Sequence, residues 1–198
     1  MTFEELHSEY NKLEPGSHKA LVKLVRDHID LLDTDQSVSK TKFKTFIAIR
    51  SNYATALYAL GDYDKAFAYA NENVSLLNNN DLSPKDKEYW RLSNHLNAGY
   101  AAYELRDLTP AMHHLSEAIQ LDPESKKVQH YLKNAASMKN KKLKVIIFLV
   151  ALLLLGASFF MDKIFTFPGM VMLYIVIFLL FATPFVITQL NKYIHTRL

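Results

Sequence analysis

The chain has 198 residues, no cysteine and a formal net charge of +3, with 49% apolar and 22% charged side chains. That length supports one generous domain or two small ones, and the missing thiols exclude disulfides, cysteine zinc sites and thiolate catalysis. Five glycines and six prolines are too few for low-complexity disorder or a many-turned β architecture.

The charge is unevenly placed. Residues 1–124 hold 13 Lys+Arg against 19 Asp+Glu, a net −6, while residues 125–198 hold 10 against one, a net +9. Residues 1–140 read as helices throughout, forming three hairpins and a seventh helix from Pro123 to about Lys142. Thr2 with Glu5 forms a capping box, and Ser83-Pro84, Thr109-Pro110 and Asp122-Pro123 each read as a cap before a first-turn proline. Val22, Val25, Ile29 and Leu32 make one apolar face; Phe43, Phe46, Ile47 and Leu57 make another. Turns fall at Pro15-Gly16, Gly61-Asp62, Asn78–Asn80 and Arg106-Asp107, and a linker at Asp33–Ser39.

Part of this stretch repeats itself. Residues 52–62 set above 97–107 share Asn52/Asn97, Ala56/Ala101, Tyr58/Tyr103, Leu60/Leu105 and Asp62/Asp107, then Ala66/Ala111, always at an offset of 45. Matching at one fixed offset means two copies of one helix–turn–helix unit.

At these residues the chain resembles the tetratricopeptide repeat family. Ala111, Leu115, Ala118 and Pro123 match the second helix and exit of that repeat, and Gly99 its first-helix glycine, over about Leu92–Ser125. The unit about Ile47–Asn80 keeps the turn residues Gly61, Tyr63, Ala66 and Phe67, but has Ala54 at the family's glycine and Asn78 at its proline. Ala20 and Leu24 lie 46 residues before Ala66 and Ala70 and mark a degenerate first hairpin.

The resemblance implies an all-α stack of about three hairpins closed by a capping helix, with a concave face for a protein or peptide partner. On the family's register that face carries Ser51, Asn52, Thr55 and Tyr58 from one unit and Ser93, Asn97, Tyr100 and Tyr103 from the next. Asn52 and Asn97 stand where peptide-clamping relatives hold a ligand backbone, since an amide both donates and accepts; packing between repeats is the other reading. The clamp's carboxylate-gripping lysines and arginine have no counterpart here. Tyr58 and Tyr103 read as core, Tyr100 as groove.

The C-terminal part reads differently. Val145–Met161 is 17 residues without a charge, and Ile164–Asn191 is 28 more. A bilayer core needs roughly 20 apolar helical residues. Residues 141–198 are therefore expected to form a transmembrane helical hairpin, with spans at about 143–161 and 169–190 and a short C-terminal tail. Gly156, Ala157 and Ser158 would let the spans approach, and Pro184 would kink the second. The acidic start MTFEELHSEY lacks the apolar core of a secretory signal. Lys133, Lys139, Lys141, Lys142 and Lys144 precede the first span, so both termini are expected to be cytoplasmic. The same lysines suit anionic lipid headgroups.

Chemistry is sparse. The eight histidines have no metal-ligand spacing and read as surface residues. No phosphate loop, nucleophile elbow or carboxylate pair stands out, so neither metal, cofactor nor enzymatic activity is expected. The acidic helices speak against nucleic acid. The expected function is a membrane-anchored adaptor or scaffold that localises a protein partner at the cytoplasmic face. The alternative is a small subunit of a transmembrane complex, or a membrane-active effector, in which the hairpin carries the function. Oligomeric state is left open.

Overall fold

The computed structural model describes residues 1–33, 40–79, 82–161, 178–179 and 182. Within them lie α1 (Phe3–Asn11), α2 (His18–Asp27), α3 (Asp30–Asp33), α4 (Lys40–Ala59), α5 (Tyr63–Asn79), α6 (Pro84–Glu104), α7 (Leu108–Leu121) and α8 (Lys126–Met161). The described residues contain no strand, so the protein is all-α. Contacts divide the chain into two units, Met1–Ala136 and Ser137–Leu198, with the boundary inside α8.

In the first unit local chemistry sets the helix ends. Thr2 and Glu5 form the expected capping box on α1, and Ser83 Oγ accepts from the Asp86 amide ahead of Pro84 on α6. Two other expected starts move. Helix α7 begins at Leu108 behind Asp107, which places Thr109-Pro110 inside its first turn. There a proline is tolerated, because first-turn amides have no helical acceptor. Asp122 ends α7 instead of starting the next helix, and α8 begins at Lys126, where the Gln129 amide reaches the Ser125 carbonyl.

The internal repeat reappears in the backbone. At the end of α4 the Gly61 amide donates to the Tyr58 carbonyl (3.0 Å) and the Asp62 amide to Leu57 (2.9 Å). At the end of α6 the Arg106 amide donates to Tyr103 (3.1 Å) and the Asp107 amide to Ala102 (3.0 Å). Gly61 and Arg106 both take a left-handed conformation, with φ of 83° and 62°. Each pair is a Schellman closure, which satisfies carbonyls the helix end would leave open. The same turn thus joins α4 to α5 and α6 to α7.

Burial follows the apolar stripes. Leu6, Val25, Leu32, Ile47, Ile49, Leu57 and Leu77 are sealed in one cluster built from α1 to α5. Each such side chain contributes about 1.5–3 kcal/mol relative to exposure. Ala54, Ala70 and Ala98 form a small-residue seam, and Leu115 and Ala118 pack with Tyr100 and Val128 at the α8 side of the unit. Gly99 permits a close approach of α6 to α7: a Cβ there would lie 2.9 Å from Leu115 Cγ and Cδ2.

The expectation of an integral membrane protein with both termini cytoplasmic is overturned. Among the described residues, no helix is long and apolar enough to cross a membrane. The first expected span falls on α8. There the uncharged stretch Val145–Met161 follows directly behind Lys139, Lys141, Lys142 and Lys144. Seventeen helical residues rise about 26 Å, short of a hydrocarbon core of about 30 Å. The second expected span, about 169–190, lies outside the described residues apart from Phe178, Leu179 and Ala182.

Candidate partner-binding site

The eight residues expected on a concave face divide sharply by burial. Ser51 is sealed, and its Oγ accepts from Asn94 Nδ2 at 2.8 Å. Asn97 is 8% exposed and donates from Nδ2 to Thr55 Oγ1 at 2.9 Å, while Thr55 donates to the Ser51 carbonyl at 3.0 Å. Asn97 therefore links α6 to α4, which is the packing reading of that position. Ser93 is half-buried on α6. Tyr100 is buried between Tyr58 and Tyr131 under the Lys127 ammonium, whereas Tyr58 and Tyr103 keep partial access. Burial pushes the Tyr58 hydroxyl up to about 12, helped by Tyr131 and the Glu104 carboxylate, and raises Tyr100 as well.

Asn52 and Thr55 of that set line a cavity. Helix α1 and the turn after it lie against α4, forming a cleft of about 440 Å³. Its walls are Tyr10, Asn11, Leu13, Glu14, Pro15, Gly16, Ser17, His18 and Leu21, with Asn52 and Thr55 from α4. Gly16, at φ 83°, turns the chain so that the α2 start faces the α4 side chains. Asn52 Nδ2 donates to the Tyr10 hydroxyl, and Lys42 pairs with Glu4 on the outside of α1. That lysine holds the Glu4 carboxyl below the usual range.

Sequence reasoning missed the polar centre beside this cleft. Arg50 is 1% exposed; its Nε donates to Asn73 Oδ1 at 2.8 Å, and its other nitrogens reach the Leu32 carbonyl and the Glu72 carboxylate. Asn73 Nδ2 donates to Asn94 Oδ1, and Asn94 Nδ2 goes on to Ser51 Oγ and the Trp90 carbonyl. The signal was present: Arg50 is a lone charge among Phe46, Ile47, Ile49 and Tyr53. A buried guanidinium requires acceptors nearby.

Two histidines also depart from expectation. His95 and His114 are buried, with their Nδ1 atoms 3.1 Å apart, so that one donates and the other accepts. Burial lowers both to about 4, assisted by Arg91 and His113 at His95 and by His95 and His113 at His114. Among the described residues, no group of three His, Asp or Glu side chains is placed to hold a metal.

Of the basic cluster, Lys133 lies in the first unit and Lys139, Lys141, Lys142 and Lys144 in the second; all but the half-buried Lys144 are exposed. The chain matches no family model, and comparisons with curated proteins and with solved structures return no match.

Proposed function

We propose that residues 1–136 are a tetratricopeptide-like module that binds a protein partner through a short peptide. The peptide enters the cleft between the α1–α2 turn and α4. The observation that carries this reading is Asn52, whose amide reaches the Tyr10 hydroxyl at a cavity wall while its equivalent, Asn97, is packed inside. Rotation of the Tyr10 ring frees an amide that can both donate to and accept from a peptide backbone. Thr55 lies one helical turn farther on. Glu14 on the rim and the net −6 of residues 1–124 favour a peptide carrying lysine or arginine. The repeated turn at Gly61 and Arg106 supports the hairpin-repeat architecture of such modules.

The test is a displayed random-peptide library panned on the full chain. Enrichment of basic peptides is expected, with binding weakened more than tenfold by Asn11→Trp, which fills the cleft, and unchanged by Lys65→Trp on the exposed side of α5. Absence of enrichment, or equal binding to both variants, overturns the reading.

A further inference from the structure

The second unit carries an arrangement that the peptide reading does not use. On α8, Lys141, Val145 and Leu152 recur at helical spacing, as do Lys142, Ile146, Leu149 and Leu153 beside them. Exposure confirms that this is an outer face: Val145, Ile146, Leu149 and Leu152 are 51–58% exposed and Leu153 is 74% exposed. The opposite side, through Ile147 and Ala151, is half-buried to buried. Lys139 falls on the same outer arc, one turn ahead. Between the lysines and the first apolar residues lies an almost wholly apolar hollow of about 500 Å³, lined by Met138, Lys141, Lys142, Val145 and Ile146.

We propose that this face of α8 is a docking surface for an anionic lipid bilayer, to which it adsorbs without crossing. Charge complementarity decides the occupant. Residues 137–198 carry seven Lys+Arg against a single Asp, and three exposed lysines stand at the edge of the apolar arc. A second copy docked by the same face would bring like charge against like; a lipid headgroup layer brings phosphates. An adsorbed helix needs no bilayer-spanning length. It sinks its apolar side about 5–10 Å into the headgroup–acyl boundary, while lysine stems lie along that boundary with their ammonium groups in water. Each lysine near such a surface strengthens adsorption about fivefold, an attraction that salt screens.

The inference is independent of the peptide cleft, since every residue it uses lies in the other unit. Its test is co-sedimentation of the full chain with vesicles of phosphatidylcholine alone and of equal parts phosphatidylcholine and phosphatidylglycerol. Binding is expected only to the mixed vesicles, with release on raising salt from about 0.1 M to about 0.5 M. Lys139→Gln, Lys141→Gln and Lys142→Gln together should weaken it on the order of 100-fold. Ile146→Asp with Leu149→Asp should abolish it while the helical circular dichroism is retained. Equal binding to both vesicle types, binding that survives high salt, or loss of neither variant's binding overturns the proposal. So does self-association of the lipid-free chain that the aspartate pair abolishes, which would assign the face to a second copy.

Discussion

Asn73 Nδ2 donates to Asn94 Oδ1 at 2.9 Å, with both side chains wholly removed from water. This contact joins α5 to α6, and through Asn73 Oδ1 and Asn94 Nδ2 it connects Arg50 to Ser51 on α4. Every member answers another's hydrogen-bonding need, so the group is sensitive to losing any one. Asn73→Leu takes an acceptor from a guanidinium that is 1% exposed and a donor from the buried Asn94 Oδ1. A destabilisation of about 3 kcal/mol is expected. Urea unfolding followed through Trp90, the sole tryptophan and itself an acceptor for Asn94, measures it. Arg50→Met combined with Asn73→Leu should cost less than the sum of the single changes, because the stranded charge goes with its partner. Strict additivity would show that the residues do not act as a unit.

Features legible in the sequence are those that repeat or are locally encoded. The offset of 45 residues correctly paired Gly61 with Arg106, because a left-handed closure is set by the few residues around it. The capping box at Thr2 needed only its own first turn. Burial of polar groups was not legible. Whether Arg50 or His114 faces water depends on the angle at which a neighbouring helix arrives, and spacing along one helix does not contain that angle. Tyr100 illustrates the same point: Tyr131 of α8 covers it from 31 positions away.

The His95–His114 pair makes stability depend on pH. Both folded-state values lie at about 4, below the ordinary 6.5, so the unfolded chain binds more protons between those limits. The stabilisation from keeping the rings neutral is complete above about 6.5 and is lost as pH falls through that window. Groups facing the pair include Arg91 and His113, which oppose a second charge, and Glu117, which favours one on His114. Glu4 and Asp86, held low by hydrogen bonds from Lys42 and Lys44, contribute only at lower pH. Urea midpoints of the full chain should fall steadily from pH 6.5 to pH 4, and His114→Gln should make that decline shallower. An unchanged slope in the variant would remove the pair as its source.

At Gly99 helices α6 and α7 pack without room for a side chain. The Cβ of Gly99→Ala would meet Leu115 Cγ and Cδ2 at 2.9 Å and the Leu115 backbone nitrogen at 3.3 Å. Leucine can change rotamer; the α7 backbone must move. Overpacking of this kind costs about 1–3 kcal/mol, more than alanine's helix propensity returns. Gly99→Ala should therefore lower the urea midpoint, and adding Leu115→Ala should cost less in that background than in the wild type. Equal costs would mean that the helices part freely at this point.

The two equivalent turns provide an internal control on backbone strain. Gly61 and Arg106 both close a helix with positive φ, yet only Gly61 does so without a Cβ. A left-handed non-glycine residue costs about 1–2 kcal/mol, against the greater chain entropy that glycine loses on folding. Nothing stands within 4 Å of a Cβ at Gly61, so Gly61→Ala tests conformation and not crowding, and a loss of about 1 kcal/mol is expected. Arg106 is exposed, and Arg106→Gly should shift stability the other way by up to about 1 kcal/mol. Thermal unfolding of the two variants checks the pair, with opposite displacements of the midpoint expected. Displacement in the same direction would show that the α6–α7 turn does not hold the left-handed closure in solution, because relief of strain at Arg106 is what gives the second variant its sign.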